Sequence, residues 1–224
     1  MTALSLPAPA PLARKLYSSR TNLYDLMIRL LGYPQGLTRF FEEADFLQPG
    51  MNVLDAGCGS GAATLALHAA LNRRNLLPAR FNAFDLTPMM LSRFWKALDK
   101  HPVAGIQLVV ADVLITRTLP TTWRNYDLIV SSAMLEYVPK PDLPLALRGL
   151  WVRLHWQGRL VVFISRQNPV MVPFIQKWWK ANLYSKSELR TAFQEAGFAH
   201  VDFTAFPGPS GYLNAWGHIV VARP

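Results

Sequence analysis

Cysteine is almost missing from this chain: Cys58 is the single one in 224 residues. One thiol excludes an intrachain disulfide and leaves a cysteine-type zinc site without partners, so no metal site is expected. A reducing cytoplasm agrees with that usage. Long apolar runs are missing too. None reaches the roughly 18 residues that crossing a bilayer takes, although 51% of the residues are hydrophobic and supply ample material for one buried core. The opening Met1-Thr2-Ala3-Leu4-Ser5-Leu6-Pro7-Ala8-Pro9 has no basic region ahead of an apolar core and does not read as a standard secretory signal. Acids are scarce, 14 Asp and Glu against 23 Lys and Arg, a net charge of +9. That balance favours an anionic partner: nucleic acid, a membrane surface or an acidic substrate. The basic residues are scattered, with no run of five or six, so nucleic acid stands behind the plainer reading of a solvated surface.

Where the few acids fall is informative. In Val53-Leu54-Asp55-Ala56-Gly57-Cys58-Gly59-Ser60-Gly61, two apolar residues lead into an acid and then into three alternating glycines. The helix-forming run Ala62-Ala63-Thr64-Leu65-Ala66-Leu67 follows at once. This pattern reads as a buried strand, a tight turn and a helix N-terminus. Glycines let such a turn adopt positive φ and let a ligand approach the main chain, and the new helix offers unpaired N–H groups beside it. Gly57-x-Gly59-x-x-Ala62 also fits a loose dinucleotide fingerprint. Asp55, two residues ahead of the first glycine, would repel a pyrophosphate there and suits a ligand with a cationic head. A nicotinamide enzyme and an ordinary αβ turn are the competing readings.

The same placement recurs. A strand over Arg80–Phe84 ends in Asp85, and Thr87-Pro88 then reads as the N-cap and first residue of a helix. A third strand, Ile106–Val110, is followed by Asp112. Ligands of open parallel sheets bind at the carboxyl edge, so three acids at three successive strand ends point to one site. Asp85 could accept hydrogen bonds from both hydroxyls of a ribose. Tyr126–Ser132 and Gly158–Ser165 read as the fourth and fifth strands, with a polar loop over Thr116–Arg124 and a helix from Pro141 to about Trp156. Asp127 sits at the wrong edge and reads as structural. Ser185-x-x-Glu188 is a capping box opening a helix that ends at Gly197. Strands near Val201–Phe206 and Trp216–Ala222 should pair antiparallel around Pro207-Gly208-Pro209-Ser210-Gly211. Upstream, residues 1–13 form a Pro/Ala-rich, disordered tail. Residues 14–50 form a helical cap, whose first helix Gly32-Tyr33-Pro34 stops and whose second spans Gly36–Leu47. Residues 51–224 form the main domain.

Asp55-x-Gly57-x-Gly59-x-Gly61, with Asp85 and Asp112 at later strand ends, resembles the motifs of class I S-adenosylmethionine-dependent methyltransferases from about Met51 to Ala222. The resemblance implies a three-layer αβα Rossmann-like sheet of seven strands, mostly parallel with an antiparallel last strand. It implies S-adenosyl-L-methionine as cofactor, held by Asp55, Gly57, Gly59 and Gly61. Asp85 would take the ribose, Leu86 would pack on adenine, Asp112 would accept from the adenine amino group and the Val113 N–H would meet a ring nitrogen. Ser131 and Ser132 would meet the methionine part. It also implies a substrate side built from the N-terminal helix (Tyr17, Arg20, Tyr24) and from a lid-like segment near 168–184 that carries Trp178 among aromatics and lysines. That segment also reads as a membrane-surface contact or as core. Glu136 and Tyr137, just past the fourth strand, and Arg166 and Asn168, past the fifth, are placed to meet an acceptor, with Glu136 the candidate base. The five histidines fall within elements or at the opposite edge and read as structural.

The favoured reading is methyl transfer to a small, apolar or aromatic acceptor in the cytoplasm, with a peripheral membrane location open. An RNA or protein methyltransferase and a non-catalytic methyltransferase-like scaffold remain as alternatives. The Pro-Pro-aromatic tetrapeptide of the amino-directed nucleic acid branch is absent.

Overall fold

The computed structural model describes residues 30–77, 80–167 and 181–224. Seven strands form one sheet in the order β3-β2-β1-β4-β5-β7-β6. They are β1 (Asn52–Ala56), β2 (Arg80–Asp85), β3 (Gln107–Val110), β4 (Tyr126–Ser132), β5 (Leu154–Ser165), β6 (His200–Thr204) and β7 (Gly217–Arg223). The first five pair parallel, and β7 runs antiparallel between β5 and β6. The inner strands β1 and β4 are buried on both faces, as covered parallel strands must be.

Each face carries its own apolar core. One packs α1 (Tyr33–Glu43), α2 (Ala62–Arg73) and α3 (Pro88–Leu98) through Leu37, Phe41, Leu67, Leu71, Phe94 and Leu98. The other packs a 3-10 turn (Val113–Thr118), α4 (Leu143–Trp151) and α5 (Lys186–Ala196) through Val113, Leu147, Leu150, Leu189 and Phe193. The architecture is the expected three-layer αβα sandwich with an antiparallel last strand.

Several boundaries differ from expectation. Leu30 is helical and the chain turns at Leu31-Gly32, so the expected stop is there, but the next helix opens at once: Gly32 is the left-handed N-cap of α1 and a proline occupies the first turn, where its missing N–H costs nothing. The helix expected to reach Trp156 stops at Trp151, and β5 starts at Leu154. Between Tyr126↔Leu154 and Leu128↔Arg159, five steps of β5 oppose two of β4, so His155-Trp156-Gln157 bulges out of the ladder. The glycine- and proline-rich segment before β7 is a 3-10 helix, Gly208–Ala215, rather than a plain turn. Ser185 and Glu188 do close the capping box at α5.

Candidate active site

The strand order reverses between β1 and β4: β2 and β3 lie to one side of β1, while β4 and β5 lie to the other. Open sheets bind ligands at the carboxyl end of such a switch point. Asp55 closes in on this place from β1, Asp85 from β2 and Ser131-Ser132 from β4.

Gly57 and Cys58 both donate their backbone N–H to the Phe84 carbonyl at 2.8 and 2.9 Å, which folds the glycine bend against β2. Gly59 N–H then donates to Asp85 Oδ2 at 2.9 Å, and Thr87 N–H donates to Asp85 Oδ1 at 2.8 Å. The Thr87 side chain makes no capping bond at α3, and its own N–H goes back to Asp85. Each carboxylate oxygen keeps a second lone pair for a ligand hydroxyl. Burial raises the Asp85 pKa, and these two amides oppose the rise.

Asp55 is only 1% exposed. Its Oδ2 accepts from Thr64 Oγ1 at 2.5 Å, one turn into α2, while Oδ1 has no partner. Burial pushes its pKa up to about 7, the Thr64 bonds pull it down, and the Asp85 charge adds to the rise. Two buried carboxylates at neighbouring strand ends therefore feel each other's charge, and no described cation answers them. That is the electrostatic shape of a cation site.

Glu136, the candidate base, is 4% exposed. Ser165 Oγ donates to its Oε1 at 2.8 Å, and Oε2 has no partner. Burial again lifts the pKa to about 7. The Ser131 hydroxyl is likewise fully buried without a partner. Ser132 Oγ is hydrogen-bonded to the Tyr33 hydroxyl at 2.8 Å. Tyr33 faces both Glu136 and Asp55, and burial with those two charges raises its pKa.

Asp112 turns its carboxylate back onto Leu114 N–H at 2.9 Å and caps the 3-10 turn, with Val113 buried behind it. Leu86, Met89 and Val110 lie exposed at the same edge, an apolar floor beside Asp112. Tyr137 lies partly exposed at the end of the 3-10 turn that buries Glu136. Arg166 is exposed past β5 and donates to the Asn214 carbonyl at 3.3 Å, so it braces the segment before β7. Tyr17, Arg20, Tyr24, Asn168 and Trp178 lie outside the described residues, as does most of the segment read as a lid. Among the described residues, no group of three or more His, Cys, Asp or Glu could hold a metal ion.

Sequence reasoning passed over Tyr33, Thr64, Ala133 and Met134. Ala133 has φ +52, a conformation an alanine rarely holds. The bend there brings Met134 over Gly57: a Cβ on Gly57 would meet Met134 Cγ at 2.2 Å. Gly57 also has φ +74. Its glycine is required by the turn and by Met134, whereas the sequence had suggested the turn or the ligand.

These residues fit S-adenosylmethionine. The unpartnered Asp55 oxygen suits an ammonium, the free lone pairs of Asp85 suit ribose hydroxyls, and the exposed apolar floor suits a planar base. A family model described as a methyltransferase domain matches residues 53–158, the span from β1 into β5. A carboxy-S-adenosyl-L-methionine synthase from Shewanella amazonensis is 32% identical over 133 residues, 58% of this chain and 51% of the relative. The chloroplast 2-methyl-6-phytyl-1,4-hydroquinone methyltransferase of Arabidopsis thaliana is 26% identical over 185 residues, 79% of this chain and 48% of the relative. The chain thus spans about half the length of these curated relatives. Magnesium protoporphyrin IX methyltransferase from Synechocystis, solved with S-adenosylmethionine bound, shares the fold at TM-score 0.67 and 16% identity, over 98% of this chain and 100% of that one. On its glycine bend, its strand-end acids and its sheet order, the chain is similar to the class I S-adenosylmethionine-dependent methyltransferases: residues 53–158 match a methyltransferase domain, and the whole sheet shares the fold of a solved one.

Proposed function

We propose that this chain transfers a methyl group from S-adenosyl-L-methionine to a small, apolar or aromatic acceptor. One observation carries the cofactor half: Asp55 and Asp85 lie buried at neighbouring strand ends beside the glycine bend at the switch point, with Asp55 Oδ1 unpartnered. Gly57, Gly59 and Gly61 would line the cofactor's approach, with Ser131 and Ser132 at its methionine end. Asp112 and the Val113 N–H would hold the adenine, and Leu86 would pack on it. The cofactor, when bound, supplies a methyl group already activated on a sulfonium. The protein's task is then alignment and exclusion of water, which can provide several orders of magnitude in rate. Glu136 Oε2 would hold a proton released by the acceptor, and a pKa near 7 is matched to that task. Tyr137, Arg166 and, outside the described residues, Tyr17, Tyr24 and Trp178 would form the acceptor side.

The acceptor class draws support from the Arabidopsis and Synechocystis proteins, whose names give a prenylated hydroquinone and a porphyrin as substrates. A cap over 14–50 and a lid near 168–184 belong to the same proposal. The test supplies methyl-labelled S-adenosylmethionine with a hydroquinone and a phenol panel. Label moving into the organic phase supports the reading, whereas label found only in RNA or protein favours the alternatives suggested by the +9 charge. The Shewanella relative, by name a carboxy-S-adenosyl-L-methionine synthase, favours a second reading, in which S-adenosylmethionine is itself the substrate and leaves as a carboxylated product once a separate carboxyl donor is supplied. Mass analysis of the recovered cofactor separates the two.

A further inference from the structure

The amino edge of the sheet, opposite the site, carries a surface that the proposed reaction does not use. Along β2, β1, β4 and β5 the strand starts bring Arg80, Arg124 and Arg153 together, with Arg74 at the end of α2 alongside. Arg80 donates to the Thr122 and Arg124 carbonyls at 2.9 and 2.7 Å. Arg153 donates to the Trp123 carbonyl at 2.5 Å and to the Thr116 carbonyl. Arg74 donates to the Ala44 carbonyl at 2.5 Å. The Arg74, Arg80 and Arg153 guanidinium groups are held by backbone oxygens, and Arg124 stands exposed beside them. Among the described residues no carboxylate pairs with Arg74, Arg80, Arg124 or Arg153. Asp127, set among them, is taken up by the Asn52 N–H at 2.8 Å, and Asp45 borders the strip beside α1.

Apolar side chains stand out from the same edge. The bulge in β5 lifts Trp156 to 73% exposure, with the His155 ring 5.6 Å from it. Val152, ending α4, is 57% exposed, and Leu77, ahead of β2, is 58% exposed. A bulge that interrupts a ladder and sends a tryptophan into water has no counterpart in the packing of either core. Tryptophan seats at the boundary of headgroups and acyl chains, aliphatic neighbours add shallow apolar burial, and fixed arginines match lipid phosphates. A nucleic acid would use the arginines and the indole but not Leu77 and Val152.

We infer that the amino edge, centred on Trp156 and Arg124, docks on an anionic lipid bilayer. The carboxyl edge then faces water, so docking and the proposed reaction are independent. The test is co-sedimentation of the full chain with neutral phosphatidylcholine vesicles and with vesicles containing phosphatidylglycerol, at low and physiological salt. Binding to the anionic vesicles, weakening with salt, is expected. Trp156→Ser and Arg124→Glu should each weaken it by about fivefold or more, since single interfacial groups carry effects of that order. Neither residue touches the site, so affinity for S-adenosylhomocysteine and the circular dichroism melt should match wild type. That control separates loss of docking from loss of fold. Equal binding to neutral vesicles, no binding to anionic ones, wild-type behaviour in both variants, or displacement from anionic vesicles by RNA would each overturn the inference.

Discussion

At the scale of single residues, two buried carboxyls govern how the molecule should respond to pH. Burial lifts Asp55 and Glu136 to about 7, above their ordinary values. Their protonated forms favour the fold, so this stabilisation is complete below about pH 4 and is lost as pH rises through 7. The ligand-free protein should therefore melt lower at pH 8 than at pH 5.5, as scanning calorimetry can read. Asp55→Asn should reduce that slope; an unchanged slope would show that Asp55 is already ionised. A ligand ammonium prefers the ionised Asp55, so affinity for S-adenosylhomocysteine, which carries one, should rise about tenfold from pH 6 to pH 8. Gly57→Val belongs to the same scale. The new side chain would meet Met134 and be forced to φ +74, at a cost of about 1–3 kcal/mol. Urea unfolding would measure the loss, and wild-type stability would mean that the bend relaxes freely.

At the scale of elements, α1 is tied to the site by one bond, from Tyr33 to Ser132 across 99 residues of chain. Tyr33→Phe should leave the sheet's amides as protected as before and speed hydrogen exchange in α1, because one buried hydrogen bond contributes about 1 kcal/mol. Equal exchange would assign the docking of α1 wholly to Leu37, Phe40 and Phe41. The elements also show what the chain discloses before it folds. The β1 turn and the Asp85 and Asp112 strand ends were legible because alternating glycines and strand-terminal acids are local signals. So was the α5 capping box, which lies within four residues. Tyr33 was not legible as a site residue, since its partner Ser132 is remote and Gly32-Tyr33-Pro34 reads equally well as a stop or a start. The burial of Glu136 was hidden likewise: it follows from the Ala133 bend and from Ser165 on another strand. The end of α4 at Trp151 was hidden because the apolar pattern continues into β5.

At the scale of the whole molecule, charge is unevenly spread along the strand direction, with Arg166 at the carboxyl edge and Asp127 at the amino edge as exceptions. Asp55, Asp85, Asp112 and Glu136 gather at the carboxyl edge, and Arg74, Arg80, Arg124 and Arg153 gather at the amino edge. The parallel sheet makes this possible, since every parallel strand presents the same end to the same side. A chain of net charge +9 thereby builds a site suited to a cation. Among its described residues no helix is long and apolar enough to cross a membrane. Titration calorimetry with S-adenosylhomocysteine, on wild type and on Asp85→Ala, tests the centre of this account. Wild type should bind at one saturable site, and Asp85→Ala should lose about 1–3 kcal/mol of affinity with its charge-assisted hydrogen bonds. No wild-type binding at millimolar ligand, or equal affinity in the folded variant, would contradict the assignment of the carboxyl edge to this cofactor.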